Sequence, residues 1–372
     1  MQIPQEMIRD SVLPQFFSGI EVLETPPYGS GHINDTFAPV LRRADGTITR
    51  YILQRINTRV FQDPDGLMEN IQGITSYLKE IIRKNGGDPL RETLTLFPTR
   101  SGASFFRDPE TGFCWRLYLF VENTLSLDKP ENTEDFYCSA RAFGRFQQLL
   151  AGYPAASLHE TIPKFHHTVN RLDNLKKAVQ ADKMGRLNEV EAEVRFALER
   201  EKDAAVLLNL HAAGEIPLRV THNDTKLNNV LIDEQTRQGI CVIDLDTVMP
   251  GLAHYDFGDS IRFGANTAAE DETDLSKVSL DLNLFEAYTR GFLEEAGGVL
   301  NQTEKELLPM GAKLMTFECG VRFLTDYLEG DVYFKTHREG HNLDRARNQF
   351  QLVADMETKW EEMARIIRKY SR

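Results

Sequence analysis

The chemistry this chain can perform is concentrated in Thr221-His-Asn-Asp-Thr-Lys-Leu-Asn-Asn-Val230 and in the run Ile240-Cys-Val-Ile-Asp-Leu-Asp246. Asp224 and Asn229 stand five positions apart, Lys226 follows Asp224 by two, and Asp244 closes an apolar run. A carboxylate can accept the proton of an attacking hydroxyl. An amide oxygen and a second carboxylate are the hard donors that magnesium prefers, and an ammonium can meet a terminal phosphate. Phosphoryl transfer asks little covalent chemistry of a protein and much positioning and charge neutralisation, and this set supplies both.

The roles follow from residue type. Asp224 is expected as the base that orients the nucleophile, Lys226 as the cation on the γ-phosphate, and Asn229 with Asp244 as magnesium ligands. Asp246 either adds a metal contact or braces the loop. His222 is expected to brace the loop by hydrogen bonds, because a lone histidine is more often structural.

These residues need a rigid support. Val230-Leu-Ile232 and Ile240-Cys-Val-Ile243 read as paired strands that would fix both metal ligands. Upstream, residues 22–121 are strand-rich. Residues 37–40 and 50–56 flank the turn Arg43-Ala-Asp-Gly46 as a hairpin. Asp63-Pro64 then caps a helix whose apolar residues Leu67, Ile71, Ile74, Leu78, Ile81 and Ile82 keep helical spacing until Asn85-Gly-Gly87. Strands are expected at 103–106 and 113–121. Beyond Glu122-Asn123 the pattern turns helical, near 133–151, 168–181, 187–213, 280–296, 303–329 and 344–369. Residues 263–277 read as a loop that could serve as a lid. The division expected is 1–122 as a nucleotide-binding part and 123–372 as a catalytic and substrate-binding part.

The whole chain has 372 residues, 41% of them hydrophobic, enough for two cores. Its net charge of -13 gives no broad basic field for nucleic acid or an anionic membrane, so a small-molecule partner is expected. The cysteines Cys114, Cys138, Cys241 and Cys319 form no close pair, and no run approaches membrane-spanning length. A cytoplasmic location is expected.

The pattern His222-x-Asp224-x-x-x-x-Asn229 followed by Ile243-Asp244-x-Asp246 resembles the catalytic signature of the aminoglycoside phosphotransferase and choline kinase superfamily, relatives of the protein kinases. The resemblance implies an α+β, two-lobed, protein-kinase-like fold: a small antiparallel-sheet N-lobe with one main helix, and a larger, mostly helical C-lobe. ATP and Mg2+ are the implied cofactors. Asp256-Phe-Gly258 spells the metal-binding tripeptide of protein kinases, but it lies too far beyond Asn229, and Asp244 fits that position better. Asp256 and Asp259 are then expected as structural or substrate-side carboxylates.

The same resemblance places a nucleotide clamp in the first half. Gly29, Ser30 and Gly31 form a glycine-rich turn entering a strand, able to bring backbone N–H groups to phosphate. Arg55 takes the strand position where protein kinases carry lysine, as in choline kinases, with Glu69 on the following helix to hold it. Phe120, Val121 and Glu122 would meet adenine through their backbone.

The phrases Tyr51-Ile-Leu-Gln-Arg-Ile-Asn57, His222-Asn-Asp-Thr-Lys-Leu-Asn-Asn229 and Asp244-Leu-Asp-Thr-Val-Met-Pro-Gly251 look like those of the N-acetylhexosamine 1-kinases. That resemblance implies transfer from ATP to the anomeric hydroxyl of N-acetylglucosamine or N-acetylgalactosamine. Side-chain chemistry suggests His167, Arg171, Arg322, Asp326 and Tyr327 as sugar contacts. The alternatives are another sugar or an amino alcohol (choline, aminoglycoside or homoserine type) as acceptor, and a nucleotide-binding pseudokinase.

Overall fold

A computed structural model describes residues 3–29 and 33–371. Short strands dominate its first third, and each is set by local pattern. β1 (Glu21–Glu24), β2 (Asp35–Phe37), β3 (Val40–Arg42), β4 (Ile48–Ile56), β5 (Leu96–Phe97), β6 (Phe106–Arg107) and β7 (Cys114–Leu119) join in one antiparallel sheet, with β4 and β7 at its centre. The hairpin expected around Asp45-Gly46 is present, with Gly46 in the left-handed region as such a turn requires. The strand expected at 103–106 shortens to β6.

Alternation along β4 and β7 decides which side chains reach the cleft. Tyr51, Leu53, Trp115 and Leu117 pack on the outer face against Ile8, Val12, Leu13 and Phe16 of the N-terminal helical turns. Ile56, Cys114 and Tyr118 lie on the inner face, against Leu67, Ile71, Ile74 and Leu78 of the helix Pro64–Lys84. That helix begins as its sequence says, with Asp63 accepting from Gly66 N at 3.0 Å and Pro64 in the first turn.

β8 (Thr124–Leu125), β10 (Val230–Asp233) and β11 (Gly239–Val242) make a second antiparallel sheet, and β9 (Arg219–Thr221) pairs with β12 (Met249–Gly251). Val230 faces Val242 in register, which brings Asn229 beside Ile243 and Asp244 at one end of the pair. Around them pack the helices Thr133–Leu149, Thr168–Ala181, Leu282–Ala296, Leu308–Glu329, His341–Thr358 and Trp360–Tyr370. The result is the α+β, two-lobed, protein-kinase-like arrangement expected from the sequence. Among the described residues, no helix is long and apolar enough to cross a membrane.

Two expectations change. Residues 187–213 break into several short helices, and the segment written as Asp256-Phe-Gly258 lies inside a helix, Ala253–Gly264, that the pattern did not suggest. Its glycine has a packing reason. A Cβ on Gly258 would meet the carbonyl oxygen of Gly311 at 2.3 Å, and one on Gly311 would meet that of His254 at 2.6 Å. The two helices therefore cross with backbones in contact, which only glycine permits.

Candidate active site

The catalytic segment leaves β9 at Thr221 and is held almost atom by atom. Asp256, fully buried, accepts from His222 N at 3.0 Å, from Asn223 N at 2.8 Å and from Gln147 Nε2 at 2.6 Å. Thr225 N donates to Asp259 at 3.0 Å, and Arg262 pairs with that carboxylate. His222 donates from Nε2 to Ile243 O at 2.8 Å and accepts the Asp224 N–H at Nδ1, a pattern that fixes its tautomer. Asn223 adopts a left-handed conformation, φ 64°, stabilised by its side-chain bonds to Thr221 O and Thr247 O. Asp256 and Asp259 are thus structural: they hold the backbone that presents Asp224.

Asp224 itself is half-buried and paired with Lys226, Nζ to Oδ1 at 2.8 Å. Burial alone would raise its pKa, but the Lys226 ammonium outweighs that and holds the carboxyl below its ordinary value. Lys226 is raised in turn, chiefly by the Asp224 charge. Asn229 donates its amide protons to Asp224 O at 2.8 Å and to Asp224 Oδ2 at 3.2 Å, so its Oδ1 is the free end. The Ile243 N–H to Asn229 O bond, 2.9 Å, ties this residue to the one before Asp244.

Asp244 is left-handed as well, φ 59° and ψ 58°, an uncommon state for a non-glycine residue and one that accompanies function when surroundings enforce it. Asp244 is exposed by surface area, yet protein groups are dense around its carboxylate. Desolvation there, with Asp246 and Asp224 nearby, pushes it up to about 7. Such a carboxylate gains from a cation. Among the described residues, no group of three or more His, Cys, Asp or Glu side chains could hold a metal alone. Magnesium does not require one, since it commonly takes one or two protein oxygens and completes its shell with phosphate and water. Asn229 Oδ1 and the Asp244 carboxylate fit that donor set.

Asp246 points elsewhere. Its Oδ1 meets Arg116 Nη1 at 2.5 Å and its Oδ2 accepts from Asn34 Nδ2 at 2.6 Å. Both carboxylate oxygens already face protein donors, so the loop-bracing alternative describes its contacts.

The pairing of Arg55 with Glu69 expected in the nucleotide site is not formed. Ser30 and Gly31 lie outside the described residues, while Gly29 is left-handed at φ 77°. Arg55 does not reach Glu69. Strand parity puts Arg55 on the outer face with Trp115, where it bonds Asp35 at 2.8 Å through Nε and stacks on Phe113. Glu69 instead bonds the exposed His159 at 2.8 Å. Its neighbour Asn70, which sequence reasoning missed, is the residue of that helix that reaches across, to His159 O at 2.8 Å and Val248 O at 3.1 Å. The buried inner-face cation is Arg116, also missed; a single-residue shift of register separates it from the position expected. In the connecting segment, Phe120 lies under Arg50 at 4.0 Å and edge-on to Tyr28, Glu122 O accepts from Arg91 at 2.9 Å, and Val121 O accepts from Thr124.

The sugar-contact expectations divide. His167 caps the helix Thr168–Ala181, accepting Asn170 N at 3.1 Å, and it is His166 that faces the catalytic loop, with Nε2 3.2 Å from Asn223 O and Nδ1 3.0 Å from Glu318. Tyr327 points away, its hydroxyl bonded to Glu189 at 2.8 Å. Asp326 is buried and accepts from the backbone N–H groups of Val332, Tyr333 and Phe334, so it shapes a loop. That loop leaves Tyr333 65% exposed beside Arg322. Arg171 reaches Phe165 O at 2.6 Å, and the same Phe165 ring lies 5.6 Å from Arg322. Among the described residues, neither guanidinium has a carboxylate within salt-bridge distance.

Residues 103–294, just over half of the chain, match the family model described as APH, phosphotransferase enzyme family, and the chain belongs to that family. Solved structures share the fold across nearly the whole length. An aminoglycoside phosphotransferase from Alicyclobacillus acidocaldarius is 15% identical, with 99% of this chain and 96% of that chain covered and a TM-score of 0.58. An amicoumacin kinase in complex with AMP-PNP, Ca2+ and Ami is 14% identical, with 94% and 93% covered and a TM-score of 0.57. A microcompartment-associated aminopropanol kinase is 15% identical, with 97% of each chain covered and a TM-score of 0.55. At such identity the likeness is one of fold. Membership of that family makes the chain a phosphotransferase.

Proposed function

We propose that this protein transfers the γ-phosphoryl group of ATP, with Mg2+, to the anomeric hydroxyl of an N-acetylhexosamine, giving the sugar 1-phosphate and ADP. The observation that carries the acceptor class is the wall beside the catalytic loop. Choline-like and aminoglycoside substrates are cations and call for acidic or aromatic cages. Here the wall offers Arg171 and Arg322, neither within salt-bridge distance of a carboxylate among the described residues, while the buried acid near both, Glu318, is already taken by His166 and by Thr168 at 2.8 Å. Such a wall repels an ammonium and donates to carbonyl and hydroxyl oxygens, the groups an N-acetylated sugar presents. Tyr333 adds an aromatic face.

Asp224 orients the anomeric hydroxyl and receives its proton as the oxygen attacks phosphorus. The depressed pKa of this carboxylate suits orientation more than strong general-base work, which is what a loose phosphoryl transition state asks for. Lys226 offsets charge on the transferred group. Asn229 and Asp244 would hold Mg2+, which supplies neutralisation of the phosphate oxygens.

A panel of N-acetylhexosamines, plain hexoses, choline, an aminoglycoside and an amino alcohol, each with Mg-ATP, tests the reading. Turnover is expected on N-acetylhexosamines, with Arg322→Ala raising the sugar KM and leaving that for ATP within about twofold. Preferential turnover of a cationic acceptor would reject the proposed substrate class.

A further inference from the structure

We propose that Asn34, Asp246 and Arg116 form a latch across the cleft, in which Asp246 is a positioning residue for the phosphate-binding elements and not a metal ligand. The inference rests on reading Asp244 as a metal ligand and the turn before β2 as the nucleotide clamp.

A polar ladder runs across the inner face of the first sheet. Gln54 Nε2 donates to Thr36 on β2 at 3.1 Å, and Arg116 on β7, its register partner, donates to Gln54 Oε1 through Nε at 3.0 Å and Nη2 at 2.8 Å. The remaining guanidinium nitrogen, Nη1, crosses to Asp246 Oδ1. The side chains of this pair are 1% and 4% exposed. Asn34 supplies the second strut. Its Nδ2 donates to Asp246 Oδ2, and its Oδ1 accepts the Asn57 N–H at 2.9 Å, fixing it to the end of β4. Thr161 holds the backbone of Asp246 from a third side, at 2.9 Å to its carbonyl.

For Asp246 to ligate a cation it would have to release Arg116 or Asn34, and a guanidinium left unpaired in a site this buried is strongly disfavoured. The carboxylate thus serves the protein's own cation. A buried ion pair is weak evidence for stability, and its use here is geometric. Asp246 lies two residues beyond left-handed Asp244, and Asn34 immediately precedes β2, so one carboxylate sets the separation between the proposed metal aspartate and the start of β2. Asn34 and Arg116 would then matter for phosphate binding although they are assigned no contact with phosphate.

The test uses Asn34→Ala, which removes one strut with little disturbance of the core, and the double variant Arg116→Gln/Asp246→Asn, which neutralises the pair together. Two readouts need no turnover: metal-free ADP binding by calorimetry, and amide hydrogen exchange over residues 33–37 in the protein without ligand. In both variants ADP is expected to bind about tenfold more weakly, and exchange over 33–37 to quicken. Asn34→Ala decides alone if the double variant does not fold. Native exchange and native metal-free ADP binding in Asn34→Ala, with the magnesium activation constant raised in Asp246→Asn, would overturn the latch and return Asp246 to the metal. Absence of ADP binding in the native protein would count against the nucleotide reading, while exchange still judges the latch.

Discussion

Lys226 Nζ sits 2.8 Å from Asp224 Oδ1, so the proposed base and the proposed phosphate cation are each other's nearest charged partner. The pair keeps Asp224 ionised well into the acid range. In Lys226→Met the chief lowering influence goes, leaving burial opposed only by the weaker effects of His222 and Arg262, so the Asp224 pKa rises. The acid limb of kcat should move to higher pH and kcat itself fall by about a hundredfold. An acid limb unmoved by the substitution, in a pH–rate profile with saturating substrates, would remove Asp224 as the group that sets it.

Magnesium binding should weaken with acidity. Asp244 lies up to about 7 in the free site, and a proton there competes with the cation. Between pH 8 and pH 6 the apparent magnesium affinity, measured by calorimetry on the nucleotide-bound protein, should fall by about tenfold. The sign for the metal-free protein is opposite. A carboxyl raised above its ordinary value favours the folded state when protonated, so the contribution of Asp244 to stability declines as pH rises from about 4 to about 7.

His254 gives an acid-sensitive point in the helical lobe. It is fully buried, its Nε2 donates to Glu304 O at 3.0 Å, and among the described residues its Nδ1 has no partner. Burial lowers it to about 4. The unfolded chain takes up this proton first, so stability is complete above about 6.5 and declines toward 4, by about 3 kcal/mol at most. Urea titrations across that range should show the loss, and His254→Gln should flatten it.

Arg55→Ala should leave nucleotide affinity within about threefold of native, because its guanidinium lies on the outer sheet face with Asp35 and Phe113. ADP calorimetry measures it. A large loss would mean that β4 twists its arginine into the cleft when nucleotide binds.

The grouping of the candidate loop was legible because it is local: five positions separate Asp224 from Asn229, and a short paired-strand unit brings in Asp244. The class of fold followed from the resemblance carried by that loop's signature, and a strand-rich start followed by helices agrees with it. Less was legible wherever strand parity or a distant partner decides. Arg55 and Arg116 both sit on central strands, and only the pairing register tells which of them faces inward. Glu69 and Asn70 differ by a hundred-degree turn of one helix, too fine for an apolar pattern to resolve. Asp326 and Tyr327 look like ligands in sequence, but one closes a loop by accepting backbone amides and the other is anchored to Glu189.

Asp256 bonds three donors, two of them backbone amides of the catalytic segment and one from the helix Thr133–Leu149, while its own helix crosses the helix Leu308–Glu329 at Gly258 and Gly311. Competence for chemistry is therefore tied to the order of assembly. A refolding molecule whose strands have paired but whose helical core has yet to close lacks the buried acceptor that shapes residues 222–225. Activity should return only once these helices have docked.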